Sequence, residues 1–290
     1  AVQVSGEELG TDGFLFPDGS EVALADGWEL KFEHVFWTVG KVTIAENPDK
    51  DPSDQSVTGD VVAEEVGPWA IDLAKDGAAP GAGGEGTATP LFKLDKQNKN
   101  GDAPFAADQR YALSHSNVAA SADATKVNFD GDAAAEAAYD DAIAGGCALL
   151  MVGTATFKGT TCETSDDAYD FDAIPTTISF SFCYDTPTNY VNCQNESNEG
   201  EAFPDEEFQR GVPILSNTES LAQLTMHLDH FVYSDVEHEP LIYFDQFAAA
   251  LVGQPAGTVL TLDLLNGVDP TAMTDGAGDP LPWRSCDGSA

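Results

Sequence analysis

Basic residues are scarce in this chain: 12 Lys plus Arg stand against 50 Asp plus Glu, a formal net charge of −38. A surface that acidic repels nucleic acid and anionic membranes and draws cations. Salt screens its self-repulsion. Long apolar runs are missing too, so no segment has the length of a membrane span. There is no C-x-x-C pair, so neither a zinc ribbon nor a redox motif is supported. The glycine-rich stretch at 77–86 is followed by no Gly-Lys-Ser/Thr, which makes it a flexible loop and not a phosphate loop. No dinucleotide fingerprint, Ser-His-Asp or Cys-His signature, haem-attachment motif or repeat of about 20–50 residues stands out. Enzymatic activity is therefore not the expectation.

What the chain does have is a concentration of ligand chemistry. Of its five histidines, His227, His230 and His238 fall close together, with Asp229, Asp235, Glu237 and Glu239 among them. Imidazole plus carboxylate is the donor set that borderline divalent metals prefer. The spacing matches neither a zinc finger nor H-E-x-x-H. Leu224, Met226, Leu228 and His230 alternate with Thr225, His227 and Asp229, a period of two that reads as a strand with one buried face. On a straight strand His227 would face outward and His230 inward. The two imidazoles converge only if the strand ends or bulges near Asp229. Residues 231–239 read as a loop that returns His238 toward the strand end. Pro240 reads as the first residue of a helix. Leu241, Phe244, Phe247, Ala248 and Leu251 form its apolar stripe, and Gly253 stops it.

The expected ligands are therefore His227, His230 and His238, with Asp229 or His34 as a fourth, and the expected ion is copper or zinc. His34 lies between Phe32 and Phe36 on one face of a strand over 28–44, so a buried structural histidine is the competing reading. His115 lies apart from the cluster and reads as structural. Met226 faces away from His227, which disfavours a thioether ligand. If zinc were catalytic, Asp229 or Glu237 would be the base. Asp49, Asp51, Asp54 and Asp60 offer the oxygen ligands that calcium takes, as does Asp130-Gly131-Asp132. The full calcium-loop pattern is missing, and solvated loop or helix capping explains them as well.

The fold class expected is mainly β, a β-sandwich with two short helices on connections. Residues 1–27 read as a flexible polar tether, and 28–290 as a single β-sandwich domain with a C-terminal helix and tail. The strand over 28–44 breaks at Gly40, as at a bulge. Residues 67–73, 110–121, 147–157 and 177–184 read as further strands. Ile178, Phe180, Phe182 and Tyr184 alternate with small polar residues. Asp132 caps a helix over 133–144 that ends at Gly145-Gly146. Residues 189–208 read as a long loop.

The five cysteines suit an oxidising compartment outside the cytoplasm. Cys183 and Cys193 flank a turn and form a plausible disulfide. Cys147 with Cys162, or Cys162 with Cys286, forms a second, and one cysteine is left over. No signal peptide is visible, and Ala1 reads as a mature or trimmed start.

Phe-Glu-His-Val at 32–35, Gly-Pro-Trp-Ala-Ile-Asp-Leu at 67–73, Val-Gly-Thr-Ala-Thr at 152–156, Asn-Cys-Gln-Asn at 192–195, His-Leu-Asp-His-Phe at 227–231 and Phe-Asp at 244–245 form a distinctive set. Together they resemble a group of exported bacterial proteins, often lipoproteins, of the deltaproteobacterial and myxobacterial type. The resemblance implies export to the periplasm, outer-membrane surface or exterior, a lipid anchor upstream of residue 1, and a shared fold. It implies no mechanism. The acidic, calcium-loop-like C-terminal segment of some relatives is not evident here.

Two functions from different classes remain. One is an extracytoplasmic metal-binding protein. The other is a surface structural or self-assembling protein, a filament, coat or adhesive subunit. The β-rich pattern, the leftover cysteine and the acidic N-terminus motivate the second. Its edge strands would add partners by β-augmentation.

Overall fold

A computed structural model describes residues 1–17, 24–84, 86–200, 202–203, 208–232, 243–266 and 283–287. The chain is mainly β, 39% strand and 16% helix, as a β-sandwich with few helices requires. The first strands are β1 (Val2–Ser5), β2 (Trp28–Ala45), β3 (Val61–Asp72), β4 (Ala79–Pro80), β5 (Thr87–Phe92), β6 (Arg110–Asn117) and β7 (Thr125–Val127). Then come β8 (Leu149–Phe157), β9 (Cys162–Thr164), β10 (Thr177–Tyr184), β11 (Thr188–Tyr190), β12 (Gln194–Glu199) and β13 (Phe208–Arg210). The last are β14 (Val212–Pro213), β15 (Ala222–Thr225), β16 (Leu260–Thr261) and β17 (Arg284–Cys286). The helices are α1 (Glu7–Asp12), α2 (Ala133–Gly145), α3 (Asp245–Ala249) and α4 (Leu262–Asn266).

The chain divides into two compact units where one domain was expected. The first comprises Ala1–Ser5, Phe36–Leu149 and Tyr184–Thr225. One of its sheets has the order β15-β1-β5-β4, with β1 parallel to β15 and antiparallel to β5. The residues of β1 are all buried, Val4 completely. The expected tether is thus corrected: the polar composition of 1–27 hides Val2, Val4, Phe14, Phe16 and Leu24, all of them core residues. The other sheet runs β7-β3-β2-β6, and β11 and β14 pair with different parts of β6. Trp69 of β3 stacks on Phe92 of β5 at 5.0 Å, joining the two sheets.

The bulge in β2 lies where the glycine placed it, since its pairing with β3 slips between Val39 and Lys41. A Cβ on Gly40 would meet Val118 at 2.5 Å and Ser116 at 2.7 Å, so a larger residue there forces those side chains to shift. α2 begins where the Asp132 carboxylate accepts from Ala134 N at 2.9 Å. It ends at Gly146 in the left-handed conformation. Its Tyr139 packs edge-on against Phe36 and Phe129. The long loop expected over 189–208 is partly strand. β11 pairs with β6, and β12 with β13.

The second unit comprises Gly6–Val35, Leu150–Cys183 and Met226–Ala290. Its sheet takes the first part of β2, then β8, β10 and β16 in that order. In β10 the buried Ile178, Phe180 and Phe182 alternate with polar residues, as the period of two required. Phe180 meets Phe32 edge-on and stacks on Phe182. Trp28 meets Phe157 and Phe244 edge-on. Each large apolar side chain buried this way contributes roughly 1.5–3 kcal/mol. Of the expected helix, residues 240–242 lie outside the described residues. α3 starts at Asp245, with Phe244, Ala248 and Leu251 buried. α1 was not foreseen, whereas β16 and α4 fall where residues 259–265 read as a last strand or a short helical turn.

A closed ionic cluster sits in this unit. Asp245 and Asp26 are both fully buried. Arg284 meets Asp245 with its Nε at 3.0 Å and also through Nη2. Asp245 also accepts from Trp28 Nε1 at 2.8 Å and from the Arg284 amide at 3.0 Å. The guanidinium lies 3.7 Å from the centre of the Phe157 ring. Asp26 Oδ2 accepts the amides of Phe244 and Asp245, each at 2.6 Å. Burial, and then the charge of Asp245, pushes the Asp26 carboxyl well above its ordinary range.

Of the two alternatives for the second disulfide, Cys162–Cys286 is the one that forms, joining β9 to β17. The other expected pairs are corrected. Cys147 and Cys183 are both disulfide-bonded, and Cys193 is free. The Cys183–Cys193 and Cys147–Cys162 pairs therefore do not form. The reason is the path of the chain: after β10 it joins β6, where Cys193 N donates to Leu113 O at 2.8 Å. The two cysteines flank a turn in the sequence, but β11, which follows it, pairs with β6.

Candidate metal centre

The strand carrying the histidines stops before they begin. β15 ends at Thr225, and a 3-10 turn covers Asp229–Val232. Leu228 and Val232 are buried and anchor that turn, while His227 and His230 are exposed. The alternation that would have sent His230 inward is thus cancelled. The expected break is present, and it falls earlier than Asp229. The two imidazole rings stack with centroids 5.2 Å apart and an interplanar angle of 18°. Asp229 Oδ1 accepts the His230 amide at 3.0 Å, which fixes the carboxylate beside the rings.

Ligand atoms of His227, Asp229 and His230 all lie within 4.8 Å of one another. Among the described residues, this is where three potential metal ligands gather. Two imidazole nitrogens and a carboxylate oxygen suit zinc or a divalent copper ion. His34 does not join the group; it is buried in β2 at 8% exposure. His238 lies outside the described residues. Met226 is half-buried in the irregular segment after β15.

The sequence reading missed Glu7. Its Oε1 lies 3.1 Å from His227 Nδ1. β1 and β15 run parallel with Ser5 opposite Thr225, and Glu7 and His227 each stand two residues beyond that pair. Glu7 holds a left-handed backbone, φ 57°, which non-glycine residues seldom adopt. No local signal marks it, because its partner lies at the far end of the sequence.

His115 packs among aromatic rings. Its ring stacks on Tyr190 at 4.7 Å and meets Trp37 edge-on. Burial lowers its pKa to about 4. Cys193 Sγ lies 3.8 Å from His115 Nδ1, and burial raises that thiol, so the two are neutral neighbours. Four of the carboxylates that could offer oxygen ligands to calcium have partners within the protein. Asp51 Oδ1 accepts from Ser53 N and Oγ, and Asp54 Oδ1 from Ser56 N and Oγ. Asp49 pairs with Arg110, and Asp132 caps α2 and holds Lys75 at 2.8 Å.

These features define a mainly β protein in which, among the described residues, His227, Asp229 and His230 form a group that could hold a metal ion. No family model, curated protein or solved structure matches the chain. The functional reading therefore rests on the geometry of the group itself.

Proposed function

We propose that this is an extracytoplasmic protein that binds one copper or zinc ion through His227, Asp229 and His230. The observation that carries the reading is the approach of all three ligand atoms to within 4.8 Å, on a turn the backbone makes only by leaving its strand. The exposure of both histidines gives an ion from solvent access to them. The large negative charge raises the local cation concentration. Disulfide bonds at Cys162, Cys286, Cys147 and Cys183 support an oxidising compartment, in keeping with the resemblance to exported bacterial proteins.

Elemental analysis after mild purification tests it. About one transition metal per chain is expected, or stoichiometric uptake of Cu²⁺ or Zn²⁺ at about micromolar concentration. His227→Ala and His230→Ala should each weaken binding more than about tenfold, and His115→Ala should leave it unchanged. A metal-free protein that takes up neither ion ends the reading.

A further inference from the structure

We propose that Glu7 is the positioning residue of this metal centre, the carboxylate of a carboxylate–imidazole–metal triad. The inference rests on the metal reading above and adds the ligand atom. With Oε1 at 3.1 Å from His227 Nδ1, the Glu7 carboxylate accepts the Nδ1 proton of a neutral imidazole. That contact holds the ring in the Nδ1–H tautomer and leaves the Nε2 lone pair for the ion. Metal-binding histidines are oriented in this way, and loss of the orienting carboxylate costs about 10–100-fold in affinity.

Three observations separate this role from direct ligation by Glu7. Glu7 touches His227 yet stands outside the group of atoms that lie within 4.8 Å of one another. Its side chain is 17% exposed against 43% for His227, so Glu7 is the more buried partner of the pair. Glu7 also opens α1, an element apart from the turn that carries the histidines, so it reaches the ring from outside the group. The donors left for the ion are two imidazole nitrogens and the Asp229 carboxylate, which suits Zn²⁺ or Cu²⁺ and not the thiolate- and thioether-preferring Cu⁺.

The test uses the full chain. Nitrogen-15 NMR of the metal-free protein should show His227 as the Nδ1–H tautomer. Glu7→Gly removes the carboxylate and suits the left-handed backbone, so folding should persist. It should move His227 toward Nε2–H and weaken Zn²⁺ binding about 10–100-fold with the stoichiometry unchanged. Glu7→Gln keeps an acceptor and should keep the tautomer, with a smaller loss of affinity. Metal bound to a wild-type ring that is Nε2–H in the metal-free protein would overturn the role of Glu7 alone. So would Glu7→Gly binding as tightly as wild type while His227→Ala does not. A wild-type Nδ1–H ring in a protein that binds no metal would overturn the metal reading, and this one with it.

Discussion

The second unit concentrates charge in two places, and they are built oppositely. Around Arg284, Asp245 and Asp26 every charged group is buried. Asp245 there takes donors from Arg284, from the Arg284 amide and from Trp28. A buried carboxylate so occupied has no acceptor capacity to give an incoming ion. Around His227, Asp229 and His230 the rings are exposed and held by a short turn whose anchors are apolar. The first arrangement ties the C-terminal strand β17 and helix α3 to β2. The second spends little on stability and presents ligand atoms to solvent. Burial, and not the number of charges, separates a structural cluster from a candidate site.

The largest effect expected follows from the buried cluster. Asp245→Ala leaves the Arg284 guanidinium buried beside Phe157 without its counter-charge, and it also strips a partner from Trp28. Breaking a buried pair from one side costs about 3–5 kcal/mol. Urea denaturation should show that loss, while the folded variant binds Zn²⁺ as wild type does. A loss under about 1 kcal/mol would mean that the pair is solvated like a surface pair, and the contrast between the two places would fail.

His115 sharpens the contrast from another side, since it is a histidine packed between Trp37 and Tyr190. Burial sets its folded pKa near about 4, against an ordinary 6.5. Between those values the unfolded chain binds the proton and the folded chain does not. Stability from this residue is therefore complete above about pH 6.5 and falls as the pH drops toward 4, by at most about 3 kcal/mol. His115→Phe keeps a ring against Tyr190 and should flatten that part of the stability–pH curve. An unchanged slope between pH 4 and 6.5 (the span from the folded to the ordinary value) would show that His115 titrates like an exposed histidine.

Local pattern carried far in this chain, and long-range pairing did not. β10 was legible because its alternation is strict, and α2 because Asp132 and Gly146 mark its ends. Gly40 announced the bulge in β2. The convergence of His227 and His230 was legible as a condition on the backbone, which must leave the strand. Glu7 was not legible, because its contact with His227 joins residues from opposite ends of the sequence. The pairing of β1 with β15 and β5 buries Val2 and Val4, which composition averaged over 1–27 could not reveal. Among the disulfides, Cys162–Cys286 stood among the alternatives and forms, while the Cys183–Cys193 pair failed for a like reason: sequence spacing suggested it, and the sheet took the chain elsewhere.

The smallest effect expected concerns Asp26, and it tests whether the buried cluster carries two negative charges or one. Asp26 Oδ2 accepts two amides at 2.6 Å, and among the described residues Oδ1 has no partner. Burial and the charge of Asp245 raise its pKa, so the folded chain keeps a proton that the unfolded chain releases. Across that interval stability falls as the pH rises from about 4 through the raised folded value. Asp26→Asn keeps an oxygen for both amides and never ionises. It also brings in an amide group that must find an acceptor, a cost of about 1 kcal/mol. Near pH 4 the variant should be the less stable chain by about that amount. It should then gain on wild type as the pH rises, ending within about 1 kcal/mol of it at neutral pH. Urea midpoints at about pH 4, 6 and 8 measure the difference directly. A variant that loses ground as the pH rises would mean that Asp26 is ionised in the fold. The cluster would then hold two carboxylates against one guanidinium.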